Sequence, residues 1–165
     1  MLWIEILLLV IITVPIGLVI HELGHFVAAR ILMFEVVSFQ AGPFLIDWKD
    51  GESSFRFRPH LWLSAGSVRV KVSVETPAKK RILLTAAGPA ASLLFSSIYW
   101  LAPVTHIDVM DEIDFLQWLL LLLAASSFVM FLLTAIPLRA PPWNYQGVPT
   151  DGYKILMLIR SVNTK

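Results

Sequence analysis

Three long apolar stretches, residues 2–20, 82–100 and 115–137, divide the chain, and most of its charge falls between them. About 20 apolar residues of helix cross the hydrocarbon core of a bilayer, so each stretch predicts a transmembrane helix. The first carries Glu5 and Thr13, and its helix is expected to continue to about Met33. That is about 45 Å of helix at the usual rise, enough to span with tilt and project beyond the hydrocarbon. Pro15 should bend it or loosen its hydrogen-bond ladder. Gly24 leaves little bulk on its side, which suits close helix packing or approach of a substrate backbone. The second stretch, Ile82–Trp100, follows a basic helix start at Pro77-Ala78-Lys79-Lys80-Arg81. Its small residues, Ala86 to Ser92, suit tight packing, and Pro89 frees a carbonyl that surrounding protein can cover. The third ends at Pro137, where a proline-rich passage to Pro149 excludes regular helix. From Asp151 to about Val162 the spacing of Ile155, Leu156, Leu158 and Ile159 predicts a short helix, too short to span unaided.

Residues 36–75 change period. Val36-Val37-Ser38-Phe39, Phe44-Leu45-Ile46, Ser54 to Arg58 and Ser67 to Val72 alternate or are rich in β-branched and aromatic residues, which predicts four short strands. Asp50-Gly51 reads as a hairpin turn. The sheet should be apolar on one face and basic on the other, with Arg56, Arg58, Arg69 and Lys71 available to anionic lipid headgroups or to solvent. So small a sheet needs cover from membrane helices or the bilayer interface, and its edge could pair with an extended substrate. The expected fold is an α-helical polytopic membrane protein, with three core transmembrane helices, a small membrane-associated β-sheet and a short C-terminal helix. Residues 1–165 form a single membrane-embedded core, with 36–75 as a β-rich insert. Residues 138–162 fit either a re-entrant loop with a short helix or a partial fourth span.

Composition sharpens this picture. Apolar residues make up 57% of the chain and charged residues 15%, which argues against an ordinary soluble domain. The net charge of +1 is neither large nor gathered into an arm, so no nucleic-acid partner is expected. With no cysteine, disulfides and cysteine-ligated metals are excluded. The N-terminal stretch lacks a basic leader and a small-residue cleavage pattern, so it reads as a retained helix rather than a signal peptide. Nine basic residues fall within 30–81, four follow Pro137, and none lies in the acidic 103–114 loop. The positive-inside rule then places the sheet and C-terminus in the cytoplasm, as in a multi-pass cell-membrane protein.

Candidate chemistry sits at the end of the first helix, in His21-Glu22-Leu23-Gly24-His25. Two histidines four apart share a helix face and can reach one metal, with Glu22 beside the water such a metal activates. Ionisable groups so close to an apolar run point to function within the membrane. A catalytic zinc usually takes a third protein ligand. His106 falls on the opposite side in this topology, and His60 follows Pro59 in the sheet region. Asp151 opens a short helix on the cytoplasmic side and is a better third ligand, although a helix N-cap is its alternative role.

These residues resemble the site-2 protease family, the intramembrane zinc metalloproteases. The resemblance rests on His21-Glu22-Leu23-Gly24-His25, Gly88-Pro89 in the second helix, Ile136-Pro137, and Thr150-Asp151-Gly152. Thr134 stands where the family usually has the asparagine of an N-L-x-P element. With neither a PDZ-like insert nor a second globular domain, the chain looks like a minimal form. The resemblance implies Zn²⁺ held by His21, His25 and Asp151, and a transmembrane or membrane-associated protein segment as substrate. Glu22 would act as general base and acid. Asn144 is a candidate for holding the tetrahedral oxygen or the substrate backbone. The small size favours dependence on an accessory membrane protein, a homo-oligomer or prior substrate trimming. A catalytically inactive membrane scaffold or substrate-binding protein with a structural metal site is the alternative, and a small ion-transporter subunit a third class.

Overall fold

The computed structural model describes residues 2–49, 51–62, 66–73, 75–101, 115–141 and 147–163. In chain order these form α1 (Leu2–Ile31), β1 (Glu35–Ala41), β2 (Phe44–Lys49), β3 (Glu52–Phe57), a 3-10 turn (Pro59–Leu61), β4 (Ser67–Lys71), α2 (Ala78–Leu101), α3 (Phe115–Ala135) and α4 (Asp151–Asn163). α1 stops two residues before the expected Met33, because Met33 adopts a left-handed conformation with φ 60°. Met33 N–H then donates to the Arg30 carbonyl and Phe34 N–H to the Ala29 carbonyl. This is a Schellman closure, and the Ala29 and Phe34 side chains join the buried cluster beside it.

The four strands form one antiparallel sheet in the order β3-β2-β1-β4. A bulge between Val36 and Ser38 inserts one residue in β1, so that Val36, opposite Val70, and Phe39, opposite Val68, share a face. That face packs on α1, where Ala29, Phe34 and Val36 are buried among Phe26, Trp48, Val68 and Leu84. The cover ends short of the outer strand. Phe44, Phe55 and Phe57 form an exposed aromatic group at the β2–β3 end. The other face is less basic than the sequence suggests, since Arg56 pairs with Asp47 and Lys71 with Glu35.

α2 packs against each of the other three helices. Its contact with α1 needs small residues: a Cβ on Gly24 would lie 2.6 Å from that of Ala91, so Gly24 serves helix packing. Thr13, Ser92, Ser96 and Ser127 are fully buried between the helices. Among the described residues, two segments are long and apolar enough to cross a membrane, Leu7–Ile31 and Gln117–Ala135. The sequence reading expects three. The described side chains of α2 end at Ser97, and beyond its basic Lys79-Lys80-Arg81 they leave a charge-free run only from Ile82 to Ser97, shorter than a span.

Candidate metal centre

His21 and His25 lie one turn apart on α1, with ring centroids 4.9 Å apart and edge to face. Both Nε2 atoms point at the start of α4. Each is 3.2 Å from Asp151 Oδ2, and the three ligand atoms lie within 4.8 Å of one another. α2 fixes the rings from the other side. His21 Nδ1 is 3.1 Å from Ser92 Oγ, and His25 Nδ1 donates to the Leu84 carbonyl at 2.9 Å. Gly88 lies between these two contacts on the same stripe of α2, and a Cβ there would clash with His25 Nε2. The Gly88 of the sequence motif is therefore a cradle for a ring.

The donor chemistry fits a cation. Because His25 Nδ1–H is committed to a carbonyl, the neutral ring presents only a lone pair at Nε2. That lone pair faces a carboxylate oxygen. A proton on Nε2 would relieve the repulsion, but placing charge on adjacent buried imidazoles is costly. A single cation shared by all three atoms satisfies every group at once.

Asp151 reaches this point because it does not cap its own helix. Thr150 does: its Oγ1 accepts from Tyr153 N–H at 3.3 Å and from Leu138 N–H at 3.0 Å, and lies 2.6 Å from the Ile136 carbonyl. The hydroxyl thus ties the end of α3 to the start of α4. Gly152 brings the two closer, since a Cβ there would sit 2.6 Å from the Ala135 carbonyl carbon. Burial favours the neutral acid at Asp151, but Lys154, whose Nζ donates to Oδ1 at 2.9 Å, favours the carboxylate.

Glu22 is 5% exposed, and its Oε2 meets no hydrogen-bond partner among the described residues. Gly66, at the entry to β4, presses against it, leaving no room for a side chain. Both line a cavity of about 490 Å³ with the three metal-facing residues. Its far wall holds Val14, Pro15, Leu18, Met130 and Trp62. Proline at position 15 cannot donate to the Ile11 carbonyl one turn earlier, and Trp62 Nε1–H does so instead, at 3.1 Å.

The model of the family described as Peptidase family M50 matches residues 8–159, which include the histidine motif, the sheet and the start of α4. The chain belongs to peptidase family M50. No curated protein and no solved structure gives a significant match. Two helices of spanning length in an M50 peptidase make it a membrane-associated chain. Its triad of His21, His25 and Asp151 can coordinate a metal ion and gives the peptidase catalytic potential. His60 is exposed in the 3-10 turn and takes no part in that cluster. His106 and Asn144 lie outside the described residues. Thr134 lines the cavity, but its hydroxyl donates back to the Met130 carbonyl at 2.8 Å, so it does not present a donor as an asparagine would. Sequence reasoning misses Ser92, Leu84, Gly66, Trp62 and Lys154 as neighbours of the site. Only Lys154 carried a signal, as a lysine in the first turn of a helix, the unfavourable end for a cation.

Proposed function

We propose that this M50 peptidase is a zinc-dependent intramembrane endopeptidase of the site-2 protease type, acting on a transmembrane or membrane-associated segment. The reading is carried by the convergence of His21 Nε2, His25 Nε2 and Asp151 Oδ2 beside a buried glutamate. These three residues would hold the metal. Zinc bound there would polarise a scissile carbonyl and acidify water. Glu22 takes the proton of the attacking water and returns it to the leaving amine. Its unengaged Oε2 and its place in the cavity support that role. Asn144 is proposed to hold the tetrahedral oxygen or the substrate backbone.

α2 is proposed as the third span, its Ser92 and Ser96 turned inward among the other helices. With the basic residues inside, the site then opens toward the cytoplasmic side of the cell membrane. A helical substrate must unwind before its peptide bonds are reachable. Among the described residues β4 is paired on one side only, and Ser67 and Val68 line the cavity, so its outer edge is suited to receive the unwound stretch as an added strand. The exposed phenylalanines of β2 and β3 suit contact with lipid. Residues 1–165 act as one core with 36–75 as its insert, assisted by an accessory membrane protein or a second copy.

The test is Glu22→Gln in detergent-solubilised protein, assayed on a panel of transmembrane-segment fusions. Cleavage falls by about 10²- to 10⁴-fold, the usual worth of a general base, while zinc content and folding persist. Undiminished cleavage overturns the mechanism. A zinc-loaded parent that cleaves nothing and whose biological output survives Glu22→Gln favours the scaffold reading.

A further inference from the structure

The third ligand has a partner of its own. Asp151 contributes Oδ2 to both imidazoles, and its remaining oxygen, Oδ1, accepts from Lys154 Nζ at 2.9 Å. The two side chains differ in setting. The carboxylate is 9% exposed and the lysine 43%, so Lys154 reaches from the rim inward over a buried group. It stands three residues along α4, on the same face as Asp151. Its backbone N–H closes the first turn on the Thr150 carbonyl at 3.0 Å, which fixes the base of the side chain. A lysine in a helix's first turn meets an unfavourable dipole, and the contact with Asp151 offsets that cost. Lys154 also lines the cavity of the metal centre and a second, largely apolar groove shared with Arg81 and Met157.

We infer that Lys154 is the positioning residue of the metal centre: by holding Oδ1 it fixes the carboxylate plane and commits Oδ2 as the ligand oxygen. The inference rests on the metal-centre reading above. An aspartate with both oxygens unheld can rotate about its last torsion and exchange them. At this site the ammonium holds one oxygen, which leaves the other facing the two imidazole nitrogens. Partners that orient a ligand typically contribute 10- to 100-fold in metal affinity. Lys154 belongs to this group although its charge alone repels a cation, so orientation and charge predict opposite signs. That opposition makes the role measurable.

The experiment is zinc affinity of the full chain in detergent, by competition with a chromophoric chelator, for the parent, Lys154→Met, Lys154→Arg and Asp151→Ala. Lys154→Met weakens zinc by about 10-fold or more, and Lys154→Arg, which keeps donors and charge, restores it to within about threefold. With Co²⁺ as probe, the visible absorption band shifts in Lys154→Met and returns in Lys154→Arg. Zinc held equally or more tightly by Lys154→Met, with an unchanged cobalt band while Asp151→Ala loses metal, overturns the positioning role alone. Full zinc affinity in Asp151→Ala overturns the ligand assignment and this inference with it. If Lys154→Met does not fold, Lys154→Leu, which also lacks a donor, carries the same comparison.

Discussion

Thr150 shows what one hydroxyl decides at the residue scale. Either residue of Thr150-Asp151 has the chemistry of an N-cap, and had the aspartate taken that role its carboxylate would be spent on backbone N–H groups. The threonine caps instead and at the same time bonds the Ile136–Leu138 segment, so the carboxylate one position later is free to face the histidines. Replacing it with valine keeps the shape and removes every one of these contacts. Thr150→Val should lower stability by about 1–3 kcal/mol, the sum of a lost cap and an unpaired buried group. Zinc occupancy should fall with it, since α4 delivers Asp151. Thermal unfolding in detergent with parallel metal analysis checks this, and Thr150→Ser should recover both. A valine variant with parental unfolding and zinc would mean that the α3–α4 tie is dispensable.

Among the elements, helices and strands were legible because their periods are strong and local. The four strands follow from alternation, and Gly51 of the expected turn adopts φ 86°, whereas Asp50 lies outside the described residues. The bulge that keeps Val36 and Phe39 on one face has no local signal, because it answers to α1 packing against β1. Nor does the sequence tell that Trp62 repairs the ladder Pro15 interrupts, a contact between residues 51 apart. The contact ties the segment between β3 and β4 to the apolar half of α1, beside the cavity. Trp62→Phe keeps the ring and removes the donor. Amide hydrogen exchange around residues 58–62 and at β4 should then run roughly two- to tenfold faster, as expected for one net hydrogen bond, with zinc content unchanged. Unaltered exchange would show that ring packing alone holds the strap.

For the whole molecule, the histidine pair was legible from spacing, whereas Asp151 stood as a candidate ligand with an N-cap as its alternative until the resemblance favoured the ligand. His21 and His25 announce themselves by being four residues apart, whereas Asp151 lies 130 residues from His21 and meets it only when α1, α2 and α4 pack together. The same packing buries Ser92 and Ser96 of α2 against its neighbours, so the hydroxyls of this helix do not by themselves argue against its crossing a bilayer. Whether α2 crosses the bilayer is therefore a question for the molecule in its membrane, and the absence of cysteine makes it simple to ask. Ser53, exposed on β3, and Asp111, in the acidic stretch after α2, are separated by α2 alone among the helices. Single cysteines at each, probed with a membrane-impermeant maleimide, should label on opposite sides. Asp111→Cys reacts in intact cells, and Ser53→Cys reacts only in inside-out vesicles, as the basic sheet region requires. The reverse pattern would keep the span and invert the chain, moving the metal centre toward the outer face. Labelling of both from one side would remove α2 as a span and leave the two apolar helices to hold the site at the membrane surface.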